Sequence, residues 1–174
     1  MDWEFNILNH IQGNIRNDTL DKIMPLLSPM YVLGGIMLLV VIVTFFIKKT
    51  RNFCRSLTIT LITGLIPCNL IFKPIVARLR PYQLNTNIKL LVAPEIDASF
   101  PSGHTFFSFA FATVCFLYNK KLGIAMYILA FIMAFSRLYL YVHFPTDVIF
   151  GALLGVLTAV IVCRCENMFF KKML

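Results

Sequence analysis

An all-α integral membrane bundle, with about five transmembrane helices preceded by interfacial N-terminal helices, follows from three features of the 174-residue sequence. The first is composition: 59% of residues are apolar, 14% are charged and the mean hydropathy is +0.79. A soluble domain runs nearer about half apolar and a quarter charged, so the chain needs a solvent other than water, namely a lipid bilayer. The second is a set of five apolar stretches close to the roughly 20 residues that span a hydrocarbon core. The third is an N-terminus whose apolar residues recur at helical spacing among polar ones.

Taken in order, Trp3, Ile7, Leu8, Ile11 and Ile15 form the apolar face expected of an interfacial helix, with a loose tail as the alternative. A second short helix is expected to start at an Asn17/Asp18 cap and stop before Pro25. The spans follow at 29–47, 53–72, 104–118, 122–141 and 147–163. The third and fifth are short, which suits helices whose outer ends are shielded by protein. The whole chain reads as one membrane-embedded domain, with residues 1–28 interfacial, 29–163 forming the bundle and 164–174 a tail. The first thirty residues contain Asp2, Glu4, Asp18 and Asp21 and lack a basic n-region, so the first apolar run is expected to remain in the mature protein. Cys54, Cys68, Cys115, Cys163 and Cys165 make no CxxC pair and read as free thiols rather than a disulfide framework or zinc site.

Charge assigns sidedness. If five helices alternate, Lys48, Lys49, Arg51, Arg55, Lys120, Lys121, Arg164, Lys171 and Lys172 share one face with a single acid, Glu166. The opposite face has seven basic and seven acidic residues, so the net charge of +8 lies entirely on the first. The positive-inside bias makes that face cytoplasmic, with the N-terminus outside and the C-terminus inside a plasma membrane. It also removes nucleic acid as an explanation of the basic charge. The sequence leaves oligomeric state open.

Three polar clusters fall on the outer face. Lys73 and Arg80 are seven residues apart, so a helical segment ending at Pro81 would align both cations and turn Arg78 elsewhere. Taken alone, the same residues suit a basic patch at anionic head groups. Pro101, Ser102, Gly103 and His104 open the third span. A hydroxyl, a glycine and free N–H groups at a helix N-terminus suit a phosphate oxygen, although a plain Ser cap beside a solvated His fits too. Ser136 and Arg137 lie one turn from the outer end of the fourth span, where an arginine either faces a polar cavity or snorkels. His143 precedes Phe144 and Pro145, so the fifth helix should begin at Pro145 with Asp147 in its first turn, within reach of the imidazole. The 82–100 loop, with Leu90, Leu91, Val92 and Ile96, reads either as a gate dipping toward lipid or as a connector. Gly151 and Gly155 form a small-xxx-small pair for close helix packing.

In order and spacing, these clusters resemble the type 2 phosphatidic acid phosphatase superfamily, the lipid phosphate phosphatases. Its signature of KxxxxxxRP, PSGH and SRxxxxxHxxxD is matched by Lys73 to Pro81, Pro101 to His104 and Ser136 to Asp147 without a departure. The resemblance implies a phosphatase that uses a phosphohistidine intermediate and needs no metal or other cofactor. It implies His143 as nucleophile oriented by Asp147, and His104 as the group that protonates the leaving oxygen and then activates water. Lys73, Arg80, Ser102, Gly103 and Arg137 would hold the phosphoryl oxygens, where cations and backbone donors supply charge neutralisation. Family members commonly have six spans, and here the interfacial helices take the place of the first.

The expected activity is hydrolysis of a membrane lipid phosphate at the outer face, with undecaprenyl diphosphate preferred as substrate and phosphatidate or phosphatidylglycerol phosphate as competitors. A non-catalytic anionic-lipid-binding module and a zinc hydrolase using His104, His143 and Asp147 are the alternatives. Vanadate-dependent haloperoxidases of the same superfamily are soluble and do not fit so apolar a chain. Two histidines in opposite protonation states predict a bell-shaped pH dependence around about 6.5.

Overall fold

Caps and prolines set the helix boundaries in the computed structural model, which describes residues 2–171. Helix α1 is Asp2–His10 and α2 is Asp18–Ile23. The Asn17 side chain caps α2 by accepting from the backbone N–H groups of Thr19 and Leu20. A tight turn over Met24–Leu27, which includes Pro25, leads into α3, Met30–Phe46, after an extended Pro29. Helix α4, Arg51–Leu65, continues into a wide helical turn over Ile66–Phe72, where Pro67 lacks the N–H that a regular ladder needs. The short α5 and α6 are Lys73–Val76 and Pro81–Leu84. Helices α7, Gly103–Tyr118, α8, Lys120–Tyr139, and α9, Pro145–Lys171, complete the chain. Asn119 caps α8 through Leu122 N.

All five apolar stretches are helical. Among the described residues, the runs Lys48–Leu84, Lys120–Tyr139 and Pro145–Glu166 are each long and apolar enough to cross a bilayer. Asp18–Leu27 and Met30–Phe46 form a pair bent by 54°, and Gly103–Tyr118 is a shorter apolar helix. At 1.5 Å per residue α7 is only about 24 Å long, and it is the most enclosed helix, packed by α4, α8 and α9. Small residues permit that enclosure: a Cβ on Gly151 would stand 2.7 Å from Ser102 O, and one on Gly155 would collide with Phe106 O. At the opposite end of the bundle Phe53, Leu57, Val114, Cys115, Ala159 and Cys163 form a buried cluster. Apolar side chains of α3 such as Leu38, Leu39 and Phe46 project outward, as a lipid-facing helix requires. The five cysteines are free thiols.

One expectation is corrected. Residues 73–81 are not one helix ended by Pro81: Ala77 adopts a left-handed conformation (φ 43°), its N–H closes α5 on Lys73 O, and Pro81 begins α6 instead. The two expected N-terminal helices form, and the alternative of a loose tail does not hold. Leu8 packs with Tyr141 and Phe144, while Ile11 and Met24 pack with Tyr139, Leu140 and Val142. Gln12 donates to Tyr139 O, Tyr139 donates to Asp21, and Tyr141 donates to Asn9. Helix α9 continues through 164–171 of the expected tail, and residues 172–174 lie outside the described residues.

Candidate active site

Every polar cluster singled out in the sequence converges at the α7 N-terminus. The link between α8 and α9 is sharply turned, with Tyr141 left-handed (φ 59°), and it carries His143 into the protein, where it is almost wholly buried. Its Nδ1 donates to Ser99 O at 2.7 Å, because a carbonyl can only accept. That bond leaves the lone pair on Nε2, which faces Arg80 Nη1 at 3.4 Å. Burial holds the His143 imidazole below its ordinary pKa; Arg80 acts in the same direction and the Asp147 carboxylate opposes.

Asp147 begins α9 where the sequence places it but does not bond the imidazole directly. Its Oδ2 is 3.7 Å from His143 Nδ1 and accepts instead from Ser99 Oγ at 2.5 Å and Phe144 N at 2.8 Å. Ser99 therefore serves both groups, its carbonyl binding the histidine and its hydroxyl the aspartate. Sequence reasoning missed it, because a lone serine in a loop carries no periodic or motif signal.

His104 lies in the first turn of α7, and its Nε2 donates to Ser28 O at 2.7 Å. Ser102 stands at the N-cap position of the same helix without a side-chain capping bond: its N–H donates to Asp147 O, and its hydroxyl meets Thr105 Oγ1 at 3.0 Å. A Cβ on Gly103 would stand 3.3 Å from the Met30 methyl, so glycine fits the close approach of that side chain to the helix end. A cleft of about 720 Å³ is bordered by Lys73, Gly103, His104 and His143, together with Ser28, Glu95 and Asp97.

The cations differ in their partners. Arg80 is wholly buried and binds Glu95 Oε2 at 2.5 Å, Asp97 Oδ1 at 2.6 Å and the Val142 carbonyl at 2.9 Å. Lys73 pairs with the other oxygen of Asp97. Lys73 and Arg80 thus meet on one carboxylate without sharing a helix face. Burial alone would raise the Asp97 pKa, but the bonds from Lys73 and Arg80 outweigh it and hold the carboxyl below its usual range. Arg137 is also wholly buried, yet among the described residues it has no carboxylate within ion-pair distance. Its guanidinium binds Ser136 Oγ at 3.1 and 3.0 Å and reaches Ser28 Oγ at 3.4 Å. The 82–100 loop is anchored by these pairs and by the packing of Leu91 and Val92, while Ile96 stays fully exposed. The roles of Glu95 and Asp97 were not legible in a sequence where they counted only as balancing charge.

The fold and site together define a helical membrane bundle with a cleft bordered by a lysine and two imidazoles. Residues 52–171 match the PAP2 superfamily, and the chain belongs to that family. It is 26% identical over 165 residues to undecaprenyl-diphosphatase BcrC of Bacillus subtilis, covering 94% of this chain and 84% of that protein. It is 45% identical over 83 residues to the bacitracin transport permease protein BcrC of Bacillus licheniformis, an alignment covering 48% of this chain and 41% of that protein. The crystal structure of the first transmembrane PAP2 type phosphatidylglycerolphosphate phosphatase from Bacillus subtilis shares its fold, with TM-score 0.73 at 22% identity over 95% of this chain and 93% of that one.

Proposed function

We propose that the chain is a lipid phosphatase that converts undecaprenyl diphosphate to undecaprenyl phosphate through a phosphohistidine at the outer face of the membrane. The observation that carries this reading is Arg137, a fully buried guanidinium with no carboxylate partner among the described residues, bonded to Ser28 on the wall of the cleft that both histidines border. An unpaired buried charge costs several kcal/mol, roughly, and an incoming phosphoryl group offsets that cost. The named activity of the Bacillus subtilis relative supports the diphosphate substrate.

In this reading His143 Nε2 attacks the terminal phosphorus, and the bridging P–O bond breaks. The lipid monophosphate leaves with the electron pair and takes a proton from His104. Water then attacks the phosphohistidine as His104 takes its proton, the N–P bond breaks, and inorganic phosphate departs. Lys73, Arg80, Arg137 and the N–H groups at Gly103 and His104 oppose the charge spread over the phosphoryl oxygens. Asp147 and the Ser99 carbonyl stabilise the imidazolium that forms when Nε2 becomes bonded.

Phosphate release by purified protein, measured against a panel of polyprenyl diphosphates, phosphatidate and phosphatidylglycerol phosphate, tests activity and head-group choice together. The expected result is fastest turnover of undecaprenyl diphosphate, undiminished by excess chelator; binding without turnover would favour a lipid-binding module. The excess of basic residues on the opposite face supports the outward orientation. In a cysteine-free background, Lys89→Cys should react with an impermeant thiol reagent in intact cells, and Lys120→Cys only after the membrane is opened. The reverse labelling would place the site on the cytoplasmic side.

A further inference from the structure

Arg78 falls between the motif positions and was expected to point away from the site, yet it touches Asp147 directly. Its Nη1 donates to Asp147 Oδ1 at 2.6 Å and to Thr146 Oγ1 at 2.7 Å, while its Nη2 donates to Glu4 Oε2 at 2.6 Å. The guanidinium lies over the Phe144 ring, 4.0 Å from its centroid. Glu4 comes from α1 and is only 4% exposed, and its other oxygen accepts from Thr146 Oγ1 at 2.6 Å. The three side chains Glu4, Arg78 and Thr146 therefore close a ring behind Asp147. Neither Glu4 nor Arg78 borders the cleft.

We propose that Arg78 and Glu4 are positioning residues for the reaction, so that the N-terminal helix α1 supplies part of the apparatus that orients and charges the Asp147–His143 pair. This inference rests on the phosphohistidine reading above. Oδ2 of Asp147 is occupied by Ser99 and Phe144 N, and Arg78 fixes Oδ1, so the carboxylate is held by donors from three separate segments. Arg78 alone would cancel the negative charge that the phosphoimidazolium needs. Glu4 balances Arg78 and leaves one net negative charge for the imidazole ring. In a buried site with little water to screen it, that balance acts on the barrier of the step in which the ring becomes cationic. The expected consequence lies in kcat rather than KM, because both side chains reach the imidazole through Asp147 rather than bordering the cleft beside it.

The test is steady-state phosphate release from undecaprenyl diphosphate by the purified wild type and the variants Glu4→Gln, Glu4→Asp, Arg78→Gln and His143→Ala, with melting temperatures recorded in parallel. Glu4→Gln should lower kcat about tenfold with KM within about twofold, the pattern of an interaction that acts only in the transition state. Arg78→Gln should lower kcat further, and Glu4→Asp, which keeps the charge, should recover part of the loss seen in Glu4→Gln. If Glu4→Gln does not yield folded protein, a kcat lowered at constant KM in Glu4→Asp carries the same comparison. Wild-type kcat in Glu4→Gln and Arg78→Gln, alongside an inactive His143→Ala, would overturn the positioning role and leave the phosphatase reading intact. A loss confined to melting temperature or KM would also overturn it. A wild type that releases phosphate from no lipid overturns the reading itself.

Discussion

The two halves of the site are held in different ways. The half proposed to carry the nucleophile is fixed by groups that are themselves buried: His143, Ser99 and Asp147 are each 1% exposed or less and bond one another or the backbone. The cation half is held by carboxylates on a loop that water reaches. The side chains of Glu95 and Asp97 are 26% and 46% exposed, yet they occupy Lys73 and Arg80. The His143 geometry is thus preorganised, since any reorientation would strand buried polar groups. In the proposed reaction the partners of Lys73 and Arg80 would be exchanged for phosphate at lower cost, because a released carboxylate passes into water.

Breaking the fixed half has the largest expected effect. His143→Ala should reduce phosphate release by at least about a thousandfold, as loss of a nucleophile does; retention of a tenth of the wild-type rate would dissolve the distinction. Arg137→Ala comes next, with kcat expected to fall about a hundredfold for removal of a preorganised charge donor. Arg137→Lys should recover only part of that rate, because an ammonium lacks the fork.

The pH profile separates the halves more finely. His143 titrates below its ordinary value because it is buried, so its neutral, nucleophilic form persists as the pH falls through about 6.5. The acid limb of kcat/KM should therefore lie below that value and fall about tenfold per pH unit beneath it. A midpoint at or above 6.5 would mean that the ring is solvated. Asp97, whose pKa is also depressed, has linkage of the same sign: it contributes stability above the ordinary carboxylate range that is lost as the pH falls through the lowered value. The smallest effect belongs to Asp97→Asn, which relieves competition for Lys73 and Arg80. A decrease of about threefold in KM with little change in kcat is expected for an exposed, screened ion pair. A rise in KM would show that the loop carboxylate positions the cations instead of competing for them.

The sequence made much of this legible. Apolar run length located the helices to within a few residues, since a bilayer imposes that length, and Pro145 placed the start of α9. Motif spacing marked Lys73, Arg80, Ser102, Gly103, His104, Arg137, His143 and Asp147, all of which gather around the α7 N-terminus or the residues that support it. What stayed hidden depends on contacts far apart in the chain. The left-handed Ala77 breaks the 73–80 segment, and alanine gives no warning of that conformation. Arg78 then turns toward Asp147 rather than away from it, and Glu4 reaches both Arg78 and Thr146 from 142 residues upstream of the latter. No periodicity or local spacing encodes such a pairing.

The central claim is that His143 Nε2 carries the phosphoryl group between the two half-reactions, and rapid acid-free quenching with terminally labelled undecaprenyl diphosphate tests it most directly. In the His104→Ala background, where hydrolysis of the intermediate lacks its base, label should remain on the protein as an acid-labile, alkali-stable adduct mapping to His143. It should vanish when His143→Ala is added. Label that persists on the double variant, or a phosphoenzyme stable to acid, would contradict the account.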